Sequence, residues 1–205
     1  MCDVPVFYAT TDGQTRLIAE HLASALRSQG LESVALDVTH VDAWSLDRRH
    51  VRAALLGASV HAGKHQSTAA KFVRAHREWF NELPSAFFSV SLSIASANPT
   101  EGDAARAIAK QFLDQTGWHP SRVACFAGRL AYTRYGWLKR MLMRRIARKE
   151  GGPTDTSRDH ELTNWTEVTA LATEIAALAR APIASRGSIG SPKSACRVER
   201  SWRSA

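Results

Sequence analysis

The sequence predicts an α/β fold built on a doubly wound, five-stranded parallel sheet, and three observations predict it. Short apolar runs alternate along the chain with stretches of helical periodicity. The first of these runs, Val4 to Ala9, passes at once into a hydroxyl-rich turn and a helix. At 205 residues, 44% of them hydrophobic, the chain can fill one such domain with a full core and little besides.

The elements follow in order. Val4 to Ala9 is the first strand, with Pro5 tolerable only near its start because proline has no N–H to give a ladder. Gln14 to Gln29 places Ile18, Leu22 and Leu26 four apart, the stripe of a sheet-packed helix, and Gly30 ends it. Ser33 to Val38 reads as the second strand. Ala53 to Leu56 reads as the third, running into a small-residue turn at Gly57-Ala58-Ser59. Ser67 to Phe80 is a helix, Ser85 to Leu92 the fourth strand, Ser93 to Thr100 a loop, and Asp103 to Thr116 the returning helix. Val123 to Ala127 is the fifth strand. Thr163 to Ala179 closes the domain with Val168, Leu171, Ala172, Ile175 and Leu178 at helical spacing and Thr163 or Asn164 as its cap.

Residues 1–181 thus form one domain, interrupted by an insertion at 129–160 that is too long for a simple loop. Within it, 135–150 has helical periodicity: Leu138, Met141, Leu142 and Ile146 share one side, and Lys139, Arg140, Arg144, Arg145, Arg148 and Lys149 occupy much of the rest. A basic amphipathic helix of this kind suits an anionic membrane surface with Trp137 at headgroup depth; an edge helix with a solvated basic face is the alternative. Residues 182–205 turn to serine, glycine and arginine and read as a disordered basic tail, with Trp202 the exception.

Composition narrows the partners. A net charge of +8 and a pI near 9.9 call for an acidic one. Nucleic acid is disfavoured, because the charge does not interleave with aromatics on a strand platform. Cys2, Cys125 and Cys196 lie far apart, so no disulfide framework or thiolate metal site is expected, and Cys125 reads as a packing residue. His61 and His65 are four apart but have Gly63 and Lys64 between them and no third ligand, so no metal is expected. There is no leader pattern and no apolar run near the ~20 residues that span a bilayer, which leads us to expect a chain neither exported nor transmembrane, in a reducing compartment.

In a parallel sheet with both faces covered, ligands bind at the carboxyl ends of the strands, so Thr10–Thr15, Gly57–Gly63 and Ser89–Asn98 should meet around one ligand. The turn Thr10-Thr11-Asp12-Gly13-Gln14-Thr15 reads as a phosphate cradle. Unpaired N–H groups and the positive end of the helix dipole attract an anion, threonine hydroxyls add neutral donors, and Gly13 lets the backbone come close. It lacks the lysine of a nucleotide P-loop and the spaced glycines of the dinucleotide fingerprint. An ordinary helix start capped by Thr10 or Asp12 is the alternative.

Beyond these readings, the strings Tyr8 to Arg16 (YATTDGQTR), Gly57-Ala58-Ser59, Leu83 to Val90 (LPSAFFSV), Arg129 to Tyr132 (RLAY), Arg134-Tyr135 and Gly151 to Thr156 (GGPTDT) occur in one order over Val4 to Ala179. The ordered set resembles the menaquinone-dependent protoporphyrinogen IX dehydrogenase branch of the flavodoxin-like superfamily. The resemblance implies strand order 2-1-3-4-5 and FMN as cofactor, its phosphate held by Thr10, Thr11, Asp12, Gly13, Gln14 and Thr15. It implies that Ala58, Ser59, Val60, His61, Ala62, Gly63, Ser89, Val90 and Ser91 border the flavin ring. Where an aromatic group is expected beside the ring, this chain has Val60, His61 and Ala62, so His61, Tyr132 or Tyr135 is left to stack. The implied reaction is FMN-dependent oxidation of protoporphyrinogen IX in haem biosynthesis, with electrons passing to menaquinone or ubiquinone at the cytoplasmic face of the inner membrane. Arg129 and Arg134, beside Tyr132 and Tyr135, are the candidates for holding the substrate propionates, since guanidinium pairs carboxylates bidentately. No general base stands out, and the oligomeric state is left open. A flavodoxin-type electron carrier and an NAD(P)H:quinone reductase are the alternatives on the same fold; a diffusing carrier that docks on basic partners would be acidic, which this chain is not.

Overall fold

The computed structural model describes residues 2–40, 48–134 and 153–181, together with Trp137, Met141 and Arg148. The elements in chain order are β1 (Val4–Ala9), α1 (Gln14–Ser28), β2 (Ser33–Asp37), β3 (Ala54–His61), β4 (Lys64–His65), α2 (Ser67–Ala75), α3 (Arg77–Glu82), β5 (Ser85–Val90), α4 (Pro99–Thr116), β6 (Arg122–Phe126), β7 (Arg129–Leu130), β8 (His160–Glu161) and α5 (Trp165–Arg180).

The five long strands run parallel in the order β2-β1-β3-β5-β6, which is 2-1-3-4-5 when those five alone are counted, as expected. Alternation along the strands divides the interior into two cores. Val6, Tyr8, Leu55, Ala86 and Phe88 meet Ile18, Leu22 and Leu26 of α1 and Val168, Leu171 and Ile175 of α5 on one face. Phe7, Leu56 and Phe87 meet Phe72 of α2, Phe80 of α3, Phe112 of α4 and Trp118 on the other. Each large apolar side chain so buried contributes about 1.5–3 kcal/mol. Pro5 is accommodated because pairing with β3 begins only at Val6, one residue after the ring that has no N–H.

Three expectations need correction. Gly57-Ala58-Ser59 is not a turn: β3 runs unbroken to His61, with Gly57 paired to Phe88. A Cβ on Gly57 would lie 2.0 Å from the Phe88 ring, so the glycine exists to admit that ring. The Ser67–Phe80 helix is two, α2 and α3, broken at His76, whose φ of −121° lies off the helical region. And α4 begins at Pro99, with Asn98 Oδ1 accepting the Thr100 N–H at 3.1 Å, so the loop before it is shorter than the sequence suggested. The cap of α5 resolves to Asn164, which accepts from the N–H groups of Thr166 and Glu167.

The roots of the insertion pair as a small antiparallel ladder, β7 with β8. Of the basic stretch 135–150, Trp137, Met141 and Arg148 are helical and exposed, Trp137 by 75% and Met141 by 56%; its other residues and the 182–205 tail lie outside the described residues. No helix among the described residues is long and apolar enough to cross a membrane.

Candidate functional site

β1 is fully buried and delivers Ala9 to the carboxyl edge of the sheet, where Thr10 opens a turn into α1. The N-cap position of α1 falls to Gly13, in the left-handed region at φ 90°, a conformation that costs a residue with a Cβ and costs glycine little. Neither Thr10 nor Asp12 is therefore the N-cap. Thr10 Oγ1 instead accepts the Gly13 N–H at 2.9 Å, which shapes the turn. The first main-chain bond of the helix runs from Leu17 N–H to Gly13 O at 3.3 Å, so the N–H groups of Gln14, Thr15 and Arg16 precede the helical ladder and face the turn. Thr15 is fully buried there and its hydroxyl has no hydrogen-bond partner. A buried hydroxyl without a partner costs about 1–3 kcal/mol, and an anion seated in the turn would supply one. The turn thus fits a phosphate.

Gln14 behaves differently from its expected place in the cradle. Its side chain turns away from the turn: Nε2 donates to both Glu161 carboxylate oxygens, at 3.0 and 3.1 Å, and to Thr163 Oγ1 at 2.9 Å. Only its main chain faces the site. Thr163 Oγ1 in turn donates to Ala127 O, and Thr163 N–H to Glu161 Oε1. The phosphate turn is therefore fastened to the base of the insertion.

The second part of the site is a hairpin. β3 and β4 pair through Val60 with His65 and His61 with Lys64, joined by Ala62 and Gly63 at φ 49° and 74°. Two consecutive residues at positive φ make the tight turn that matches strand twist. His61, Ala62 and Gly63 are exposed at its tip, and Ala58 is buried in the sheet. The third part is the end of β5. Ser89, Val90 and Ser91 are 1%, 3% and 7% exposed, and Ser91 Oγ caps the short 3₁₀ turn Leu92–Ala95 by accepting the Ser93 N–H. Ladder register sets the three parts side by side, Ala9 opposite Ala58 and Ser59 opposite Val90.

Two side chains that the sequence reading had not assigned to the site brace these parts together. Gln66 Nε2 donates to Thr11 Oγ1 at 3.1 Å and also to Ser59 Oγ, which links the first turn to the second. His65 links the second to the third, with Nδ1 to Ser59 O at 3.3 Å and Nε2 to Ser89 Oγ at 3.4 Å, its ring edge-on to Phe87 and Phe112. Burial drives its pKa down to about 4, so it is neutral near pH 7. A carbonyl can only accept, so Nδ1 carries the proton and Ser89 donates to Nε2. The sequence signal for both was the hairpin tip at Gly63, after which Lys64 starts the return strand and His65 and Gln66 come back under the strand ends.

The candidates for substrate contact are placed otherwise. Tyr132 is fully buried and its hydroxyl donates to Pro153 O at 3.0 Å, so its ring has no exposed face to stack on a ligand. Arg129 pairs with Asp159 at 3.6 Å, whose other oxygen accepts from the N–H and hydroxyl of Thr133. Both residues secure the insertion's root. The side chain of Arg134 and all of Tyr135 lie outside the described residues. Cys125 is half-buried against the core, and no group of three or more metal-ligating side chains occurs among the described residues.

A family model described as flavodoxin domain matches residues 5–157. Protoporphyrinogen IX dehydrogenase (quinone) of Escherichia coli strain K12 is 36% identical over 179 residues, 86% of this chain and 96% of that protein. The protein of the same name from Leishmania major is 33% identical, covering 84% of this chain and 74% of its own length. Among solved structures, a flavodoxin from the domain Archaea superposes with a TM-score of 0.53 at 17% identity, over 87% of this chain and 99% of that one. With the strand order, the site at the sheet's carboxyl edge and these matches together, the chain belongs to the flavodoxin-domain family, beside relatives named protoporphyrinogen IX dehydrogenase (quinone).

Proposed function

We propose that the chain is an FMN-dependent oxidoreductase that oxidises protoporphyrinogen IX to protoporphyrin IX and delivers the electrons to a membrane quinone, as a step of haem biosynthesis. The observation that carries the reading is the 36% identity, along nearly the whole of their length, with relatives that bear the name of that activity. The site's chemistry supports the cofactor: an uncapped helix start, a left-handed glycine and a buried hydroxyl without a partner suit the phosphate of FMN. FMN, when bound, supplies a hydride-accepting ring. Thr10, Thr11, Thr15 and the N–H groups of Gln14 and Thr15 would hold its phosphate. The β3–β4 hairpin and the end of β5 would border the ring, with His61, exposed at the hairpin, a candidate to stack on it.

The same reading places the protein at the cytoplasmic face of the inner membrane as a peripheral enzyme. Exposed Trp137 and Met141, one helical turn apart in a stretch dense in arginine and lysine, support contact with anionic lipid, where each basic residue contributes about 1 kcal/mol. A membrane-dissolved quinone would then be within reach.

The test is anaerobic turnover. FMN-loaded protein, protoporphyrinogen IX and a quinone should give porphyrin fluorescence at a rate that depends on the quinone. An electron carrier would leave the porphyrinogen unchanged, and an NAD(P)H:quinone reductase would show rapid bleaching of its flavin by NADPH in stopped flow.

A further inference from the structure

Gln66 stands between the first and second parts of the site, at the N-cap position of α2. An amide nitrogen carries two hydrogens, and here its two neighbours are the hydroxyls of Thr11 and Ser59. The amide oxygen is buried and has no donor, so it does not hold either hydroxyl. Each hydroxyl therefore accepts from Gln66, and each keeps its own hydrogen to give elsewhere. Had the residue at 66 offered an acceptor, both hydrogens would turn inward and the site would present oxygen lone pairs instead.

We propose that Gln66 is a positioning residue that sets the polarity of Thr11 and Ser59, so that both face the ligand as hydrogen-bond donors. The inference rests on the FMN reading above and deepens it. FMN is rich in acceptors: Thr11, in the phosphate turn, is placed for phosphate oxygens, and Ser59, at the end of β3, for a carbonyl on the ring edge. A single brace thus matches both ends of an acceptor-lined ligand and holds their turns in register.

Two substitutions separate polarity from shape. Gln66→Met keeps length and neutrality but removes both donors, and Gln66→Glu offers only acceptors. Affinity is read by quenching of flavin fluorescence on titration into the apoprotein, with FMN and with riboflavin, which lacks the phosphate. Gln66→Met should weaken FMN about tenfold and riboflavin severalfold, and Gln66→Glu should weaken both further. The visible absorption band of bound flavin should shift in both variants as the Ser59 hydroxyl loses its fixed orientation toward the ring carbonyl. In a Thr11→Val background, Gln66→Met should leave the ratio of FMN to riboflavin affinity almost unchanged, because the Thr11 arm is already gone. Wild-type affinity for both flavins in Gln66→Met would overturn the inference. So would a Gln66→Glu effect confined to FMN with none in Gln66→Met, which is plain charge repulsion. Circular dichroism melts of the apoproteins identify any variant that fails to fold, and Ser59→Ala then tests the ring arm alone: unchanged riboflavin affinity and an unshifted band would overturn the role of Ser59. If the wild-type protein takes up no FMN, the cofactor reading itself fails; if it binds FMN and the variants match it, Gln66 alone loses its role.

Discussion

Thr15 and Gly57 show how much a single position can decide. Thr15 is buried with a hydroxyl that no protein group satisfies, and an anion seated in the turn would give it a partner. Thr15→Val should weaken FMN about tenfold or more and leave riboflavin nearly unaffected, as measured by equilibrium dialysis. Gly57 is close to its opposite, a position defined by what it must not carry. With Phe88 Cε2 and Cζ 2.0 Å from a notional Cβ, Gly57→Ala should destabilise the fold by about 1–3 kcal/mol in urea titrations, and Phe88→Leu should relieve part of that loss. His65 adds a dependence on pH. Its folded pKa of about 4 lies below the ordinary value of 6.5, so the unfolded chain binds the proton more readily. Stability from this group is intact above pH 6.5 and is lost as pH falls toward 4, by on the order of 3 kcal/mol when complete. Urea midpoints from pH 7 to 4.5 should fall more steeply in the wild type than in His65→Gln, after allowance for that variant's own loss at pH 7.

At the scale of elements, the phosphate turn and the insertion are one mechanical unit. Gln14 at the start of α1 holds Glu161 of β8, and β8 is paired with β7. Glu161→Ala should therefore speed hydrogen exchange in both short strands, 129–130 and 160–161, while leaving exchange in β1 and β3 unchanged, read by mass spectrometry of peptides across each segment. Sequence periodicity located most long elements to within a residue or two, because a stripe four apart or an apolar run carries its own partner information. It failed where a contact from elsewhere was decisive. Gly57-Ala58-Ser59 looked like a turn by composition, yet the ladder with β5 carries β3 straight through it. The break at His76 was equally hidden, since helical spacing continues across it to Phe80.

Over the whole molecule, the charge calls for an acidic partner. A net charge of +8, concentrated in sequence on the insertion and the tail, favours an anionic surface over a basic protein partner. Cosedimentation with vesicles containing anionic lipid should fall as salt rises from about 50 to 500 mM, and should be slight with purely zwitterionic vesicles. Reversing Arg144, Arg145 and Arg148 to glutamate should abolish sedimentation with lipid yet leave flavin retention intact. Continued sedimentation of that triple variant would refute the surface-binding proposal.

By itself, the sequence determined the layered α/β architecture and the place of the hydroxyl-rich turn before α1, since both are written in local spacing and in residues close together along the chain, while the strand order came through its family resemblance. Only the tertiary structure decided that Gln14 faces Glu161 across 147 positions, that Gln66 joins Thr11 to Ser59, and that Tyr132 is a buried post of the insertion with no face left for a ligand. The physical reason is that a hydroxyl or amide has the same composition whether it meets a ligand or another side chain, and the direction of its hydrogen bond is set by what the fold brings beside it.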